Sequence, residues 1–126
     1  MDTTTTMINY NKKFKLPTYA CSVEIIITDK LSDEVNKIYK KHKFDDKFTD
    51  VAEGVVITID IDKYYIILST KYLSHNTIAH EVYHAAVRIT EDRSISDEEA
   101  QAWLAGHLTE EVYKFIEKKK LTITHG

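Results

Sequence analysis

The chain has 126 residues, 43% hydrophobic and 29% charged, which is typical of one globular domain spanning 1–126. A net charge of −3 gives no basic excess for nucleic acid, and no apolar run is long enough to span a membrane. A single cysteine, Cys21, excludes a disulfide scaffold. The single cysteine and the lack of a signal-peptide pattern at the N-terminus together favour a cytoplasmic protein.

The N-terminal third predicts an arm, a strand and a helix. Residues 1–15 are polar and are expected to form a loose arm, with at most a short edge strand near 14–16. The run CSVEIIITD, residues 21–29, is β-branched and predicts a strand. The next segment, LSDEVNKIYKKHKF, has apolar residues at helical spacing and predicts a helix over 33–43 with Ser32 as its cap.

Two further β-rich runs, 55–61 and 64–69, predict an antiparallel hairpin. In the first run, strict alternation places Val55, Ile57 and Ile59 on one face and Val56 on the other. We expect 64–69 to be the exposed edge of the hairpin, where an extended peptide would bind by adding a strand.

Two helices complete the predicted fold. The segment LSHNTIAHEVYHAAVRIT predicts a helix with Ser74 as its N-cap. A last helix is expected over 97–119. The apolar stripes of the two helices are Ile78, Val82, Ala85, Ala86 and Ile89, and Leu104, Leu108, Val112 and Phe115. This order of elements predicts a small α+β domain, with an antiparallel or mixed sheet of about three strands on one side and three helices on the other.

The first of these two helices contains an H-E-x-x-H spacing, His80-Glu81-Val82-Tyr83-His84. Positions i and i+4 share a helix face, so His80 and His84 direct two imidazoles toward one point, as zinc binding requires. Glu81 projects beside them, where a general base for a zinc-activated water stands. The alternative is an ordinary half-exposed helix with two solvated histidines.

A catalytic zinc takes a third protein ligand, and the next helix begins with two acids, Glu98 and Glu99. Helical phase favours Glu98, which borders the apolar stripe, whereas Glu99 lies nearly opposite its centre. Glu99 also fits a capping box, Ser96-Asp97-Glu98-Glu99, in which it bonds the N–H of Ser96. The residues alone leave both glutamates open.

The pair of motifs HEVYH and EEAQAWLAGHL resembles the small gluzincin-like zinc metallopeptidases of phages and prophages. The second motif is also similar in outline to the E-x-x-A of ImmA/IrrE-type peptidases. The resemblance covers about residues 64–115 and implies a zincin-like domain. It implies that His80, His84 and Glu99, the glutamate three residues before Ala102, bind Zn²⁺, with Glu81 as the catalytic residue.

The same resemblance implies hydrolysis of a peptide bond in a peptide or protein substrate. A phage-encoded protein of this kind would act in the host cytoplasm. The alternative function is a catalytically weak or inactive zinc-binding module that contacts another protein. No nucleic-acid or membrane partner is expected, since the charge is slightly negative and the lysine clusters suit solvated helix ends.

Overall fold

The computed structural model describes residues 8–49 and 51–124. Its strands and helices, in chain order, are β1 (Asn9–Leu16), β2 (Cys21–Thr28), α1 (Leu31–Lys41), β3 (Gly54–Asp60), β4 (Lys63–Ser69), α2 (His75–Glu91) and α3 (Glu98–Lys118). Short 3₁₀ helices at Pro17–Tyr19 and Thr70–Tyr72 lead out of β1 and β4.

The strands form one mixed sheet in the order β1-β2-β4-β3. The two outer pairs are antiparallel, and β2 runs parallel to β4 because α1 and β3 return the chain between them. The predicted α+β class is confirmed. The sheet has four strands rather than about three.

The additional strand is β1, so the prediction of a loose arm with at most a short edge strand near 14–16 is wrong from residue 9 onward. Asn9–Leu16 pairs with β2 along its whole length. Its inward face carries Tyr10 and Phe14, which pack against the core, and ends at the buried Leu16. The outward positions are mainly lysine and asparagine, which is typical of an edge strand. Residues 1–7 of the predicted arm lie outside the described residues.

Strand β4 lies inside the sheet, between β2 and β3. The expectation that 64–69 forms an exposed edge is therefore wrong. Every residue from Tyr64 to Ser69 is buried, and this continuous apolar run fits a strand that is covered on both faces. Within the described part of the chain, the strands with a free edge are β1 and β3.

The helices cover both faces of the sheet. Helices α2 and α3 pack on the face formed by Val23, Ile25 and Ile66, which are fully buried. Helix α1 packs on the opposite face, over Ile26 and Ile67. The prediction that all helices lie on one side is thus wrong for α1. Both apolar stripes predicted for α2 and α3 are buried, which confirms their orientation.

The helix starts are set by local hydrogen bonds that the sequence predicts only in part. Ser74 caps α2 as predicted, since its Oγ accepts the N–H of Thr77 at 3.1 Å. Helix α1 begins at Leu31, before the predicted cap Ser32. Helix α3 is capped by Asp97, whose Oδ1 accepts the N–H of Glu99. The capping box that the sequence left open for Glu99 is not the cap observed. No helix in the described residues is long and apolar enough to cross a membrane.

Candidate metal centre

His80 and His84 lie side by side on the exposed face of α2. Their Nε2 atoms are 3.1 Å apart, and their ring centroids are 4.5 Å apart with the planes nearly perpendicular. This is the pairing expected from an i, i+4 spacing. The neighbouring stripe of α2 is buried against the sheet, so the backbone that carries both histidines is held by the core.

The spacing of the two imidazole nitrogens suits a zinc ion. Two nitrogens at 2.0–2.1 Å from a tetrahedral zinc are about 3.3 Å apart, close to the 3.1 Å between His80 and His84. In the absence of metal, the same distance allows one ring to donate an N–H to the other. The donor set and the spacing therefore fit half of a zinc site, although a hydrogen-bonded pair has a similar geometry.

Glu81 stands next to this pair and is buried, with an exposed fraction of 7%. Its carboxylate lies 4.0 Å from Nε2 of His80 and makes no hydrogen bond to a described residue. Burial raises the pKa of Glu81, an effect that His80, His84 and Arg88 oppose electrostatically. A carboxylate with a raised pKa beside two imidazoles has the character of a general base.

Gly54, at the start of β3, makes room for Glu81. A Cβ at this position would lie 2.7 Å from Cγ of Glu81 and 3.2 Å from Cδ2 of Leu68. Any larger residue would therefore press on the carboxylate-bearing side chain. The glycine is used here for close approach of strand and helix rather than for a left-handed backbone.

A polar cavity of about 310 Å³ opens beside Glu81 at the N-terminal end of α2. Its walls are Glu53 and Gly54 from the start of β3, and Asn76, Thr77, His80 and Glu81 from α2. Thr77 donates its hydroxyl hydrogen to Oε1 of Glu53 over 2.6 Å. This bond joins the segment before β3 to the first turn of α2.

The free edge of β3 runs beside α2. Ser69 donates its N–H to the carbonyl of Glu53, so antiparallel alternation turns the polar groups of Gly54, Val56 and Thr58 away from β4. Arg88, one turn beyond His84, donates to the carbonyl of Val56 over 2.6 Å. Among the residues that the structure describes, no backbone hydrogen bond is made to the outward groups of Gly54 and Thr58.

The structure brings His80, Glu81 and His84 together but does not bring Glu98 or Glu99 to them. Gln101, in the first turns of α3, donates to Thr90 near the end of α2. Thr90 is six residues beyond His84, about 9 Å along the helix axis. Among the described residues, no three His, Cys, Asp or Glu side chains are grouped closely enough to hold a metal ion. The third ligand stays a prediction.

The first turn of α3 places both acids at the surface. Glu98 and Glu99 are exposed, and Glu99 lines a shallow groove along α3 with Trp103 and His107. Trp103 and Tyr83 are large side chains outside the core, with exposed fractions of 73% and 62%. His107 packs edge-on against Phe14 of β1.

Sequence reasoning did not identify the cavity residues Glu53, Gly54, Asn76 and Thr77. A usable signal is Gly54, one of three glycines in the chain, at the start of a predicted strand. A glycine at that position indicates a bulge or a close backbone approach. The approach of Glu81 itself depends on how β3 lies against α2, which no local pattern encodes.

Comparisons of this chain with protein-family models, with curated proteins and with solved structures find no match.

Proposed function

We propose that this protein is a zinc-dependent metallopeptidase that hydrolyses a peptide bond. The proposal is carried by one observation: the two imidazole nitrogens of His80 and His84 lie 3.1 Å apart beside the buried side chain of Glu81, whose carboxylate makes no hydrogen bond to a described residue. A hydrogen-bonded histidine pair alone does not require a buried carboxylate beside it. Burying the carboxylate of Glu81 costs free energy. Carboxylates with such perturbed surroundings cluster at functional sites, which supports a role for Glu81.

In the proposed site, His80 and His84 hold Zn²⁺, and Glu99 is the predicted third ligand, with Glu98 as the alternate. A zinc ion held there supplies a Lewis acid for the substrate carbonyl and lowers the pKa of water. Glu81 accepts the proton of the attacking water and returns it to the leaving amine. Burial beside Gly54 holds Glu81 in position for both transfers.

The substrate in this proposal is an extended peptide that lies along β3. The outward polar groups of Gly54 and Thr58 are available to it, and they flank the carbonyl that Arg88 already occupies. This places the peptide on β3 instead of on 64–69, while the mode of binding, strand addition, is the one that the sequence suggested.

The test measures both the zinc content and the peptide-cleaving activity of the same purified protein. Purified protein is expected to hold one zinc per chain and to cleave a quenched peptide pool. Glu81→Gln should keep the zinc and lose cleavage by about a hundredfold or more. His84→Ala should lose the zinc, while His107→Ala, a histidine outside the site, should keep it. Equal cleavage by Glu81→Gln and wild type would refute the mechanism.

The third ligand is tested separately with Glu98→Ala and Glu99→Ala. We expect Glu99→Ala to weaken zinc binding and Glu98→Ala to leave it unchanged. The reverse result would assign the ligand to Glu98. Loss of affinity in neither variant would mean that zinc is held by His80 and His84 without either acid.

A second candidate is a zinc-binding module that contacts another protein without cutting it. The observation that favours it is the exposed groove on α3, where Glu99 lies beside Trp103. Exposed tryptophan is enriched where proteins meet. Zinc binding without any cleavage, together with an unchanged zinc affinity in Glu99→Ala, would support this candidate.

A further inference from the structure

The cavity beside Glu81 has a defined charge. Two of its lining residues, Glu53 and Glu81, are carboxylates, and no lysine or arginine of the described chain lines it. At about 310 Å³ it has room for one long side chain. Because it opens next to the free edge of β3, a residue of a peptide on that edge would point its side chain into it.

A chain of hydrogen bonds orients the exposed side chain of Glu53. Ser74 donates its hydroxyl hydrogen to Thr77 over 3.0 Å, and Thr77 donates to Oε1 of Glu53 over 2.6 Å. Each hydroxyl therefore donates once in the same direction, toward the carboxylate. The second oxygen of Glu53, Oε2, has no partner among the described residues. A carboxylate fixed in this way is prepared to accept from a cation.

Glu81 is a second carboxylate that faces this cavity. It is more than nine-tenths buried, lines the cavity and lacks a hydrogen bond among the described residues. Burial of a charged carboxylate is unfavourable. A positive group in the cavity would reduce that penalty even without touching Glu81, because electrostatic attraction acts over several ångströms at low dielectric.

The opposite end of the site has the opposite charge. Arg88 uses one nitrogen on the carbonyl of Val56 and has no carboxylate within ion-pair distance among the described residues. A basic side chain would be repelled there and attracted to Glu53. A peptide with a single positive charge is therefore favoured on the β3 edge when that charge lies at the Glu53 end and away from Arg88.

We propose that this cavity is a specificity pocket for a lysine or arginine side chain of the substrate, bound through Glu53 next to the scissile bond. The inference rests on the proposed peptidase function for the identity of the ligand as a peptide. It adds the substrate class, peptides with a basic residue at one fixed position.

The experiment measures binding to the zinc-loaded Glu81→Gln protein, which cannot turn over its ligand. The probes are fluorescent peptides in which one lysine is moved through an alanine-rich sequence, each paired with the same peptide carrying uncharged norleucine. At one position, lysine should bind about tenfold tighter than norleucine, as one charge-assisted hydrogen bond provides. The preference should decrease in high salt.

The added substitution Glu53→Gln should remove this preference. Glutamine keeps an oxygen for Thr77, so the local structure is retained, and an unchanged melting temperature checks this. Glu117→Gln, an exposed acid on α3, is the matched control and should keep the preference. Equal binding of lysine and norleucine peptides at every position, or a preference that survives Glu53→Gln, would overturn the proposal.

The two proposals fail in different ways. Cleavage of peptides without any preference for lysine would leave the peptidase standing and refute the pocket. A lysine preference that Glu53→Gln removes, in a protein that cleaves nothing, would support the pocket and refute the peptidase.

Discussion

The sharpest structural prediction concerns two glycines that should respond in opposite ways to the same substitution. A Cβ at Gly54 would lie 2.7 Å from Cγ of Glu81, whereas a Cβ at Gly106 in α3 would meet nothing within 4 Å. Both residues lie in regular structure without positive φ. Gly54→Ala therefore tests the close packing of β3 against Glu81. Gly106→Ala tests only the conformational entropy of the backbone.

The magnitudes follow from these two surroundings. Overpacking at Gly54 costs about 1–3 kcal/mol, offset by about 0.5–1 kcal/mol because alanine restricts the unfolded chain. Gly54→Ala should therefore destabilise the protein by about 1–2 kcal/mol. Gly106→Ala should stabilise it by about 1 kcal/mol, the helix propensity difference. The two variants should differ by about 2–3 kcal/mol in free energy of unfolding.

Urea unfolding followed by far-ultraviolet circular dichroism measures both values, provided that the m-value is unchanged. Gly54→Ala should also displace Glu81 and reduce peptide cleavage, while zinc binding by His80 and His84 is retained. If Gly54→Ala proves as stable as Gly106→Ala, the packing of Glu81 against β3 is not as described.

Three further predictions concern other parts of the fold. Ser94, in the turn that follows α2, has a φ of 59°. Because glycine adopts this left-handed conformation without strain, Ser94→Gly should raise the free energy of unfolding by about 1 kcal/mol in urea titrations. Bonds from the N–H of Ile8 and the hydroxyl of Thr70 lower the pKa of Asp29. Asp29 therefore stabilises the fold above its unfolded pKa of about 3.9 and loses this contribution as the pH falls through its folded pKa. Asp29→Asn should thus be destabilised at pH 7, and its difference from wild type should vanish in acid; a constant difference would contradict this. Arg93 donates to three backbone carbonyls and a tyrosine hydroxyl, so Arg93→Lys should lower the free energy of unfolding by about 2 kcal/mol, and an unchanged thermal midpoint would argue against that network.

The helices could be predicted well because their signals are local. In α2 the cap Ser74 and the stripe from Ile78 to Ile89 are read directly from spacing, and both are confirmed. The phase of α3 could be read in the same way, and its four predicted core residues are buried. The helical phase of α3 also indicated that Glu99 faces away from the core, and Glu99 is exposed in the structure.

The sheet could be predicted less well because its order depends on distant pairing. The parallel contact of β2 with β4 joins segments separated by α1 and β3, and no turn signal marks it. The residues of β4 did carry a hint, since Tyr64 to Leu68 is apolar at every position, as in a central strand. In β1, alternation of Tyr10, Phe14 and Leu16 was masked by the lysines and asparagines between them.

In the candidate site, too, the features set by local geometry could be predicted, and those set by tertiary packing could not. The pairing of His80 with His84 follows from helical geometry and needed no tertiary knowledge. The contact of Glu81 with Gly54 and the bond of Arg88 to Val56 arise where β3 lies against α2, so they could not be inferred from either segment alone.

X-ray absorption at the zinc edge of the zinc-loaded protein can show whether His80 and His84 bind zinc. We expect two imidazole nitrogens at about 2.0 Å from the zinc, together with the outer-shell scattering of imidazole rings, and the loss of one ring in His80→Ala. A spectrum without imidazole scattering, or one that is unchanged when both histidines are replaced, would contradict it.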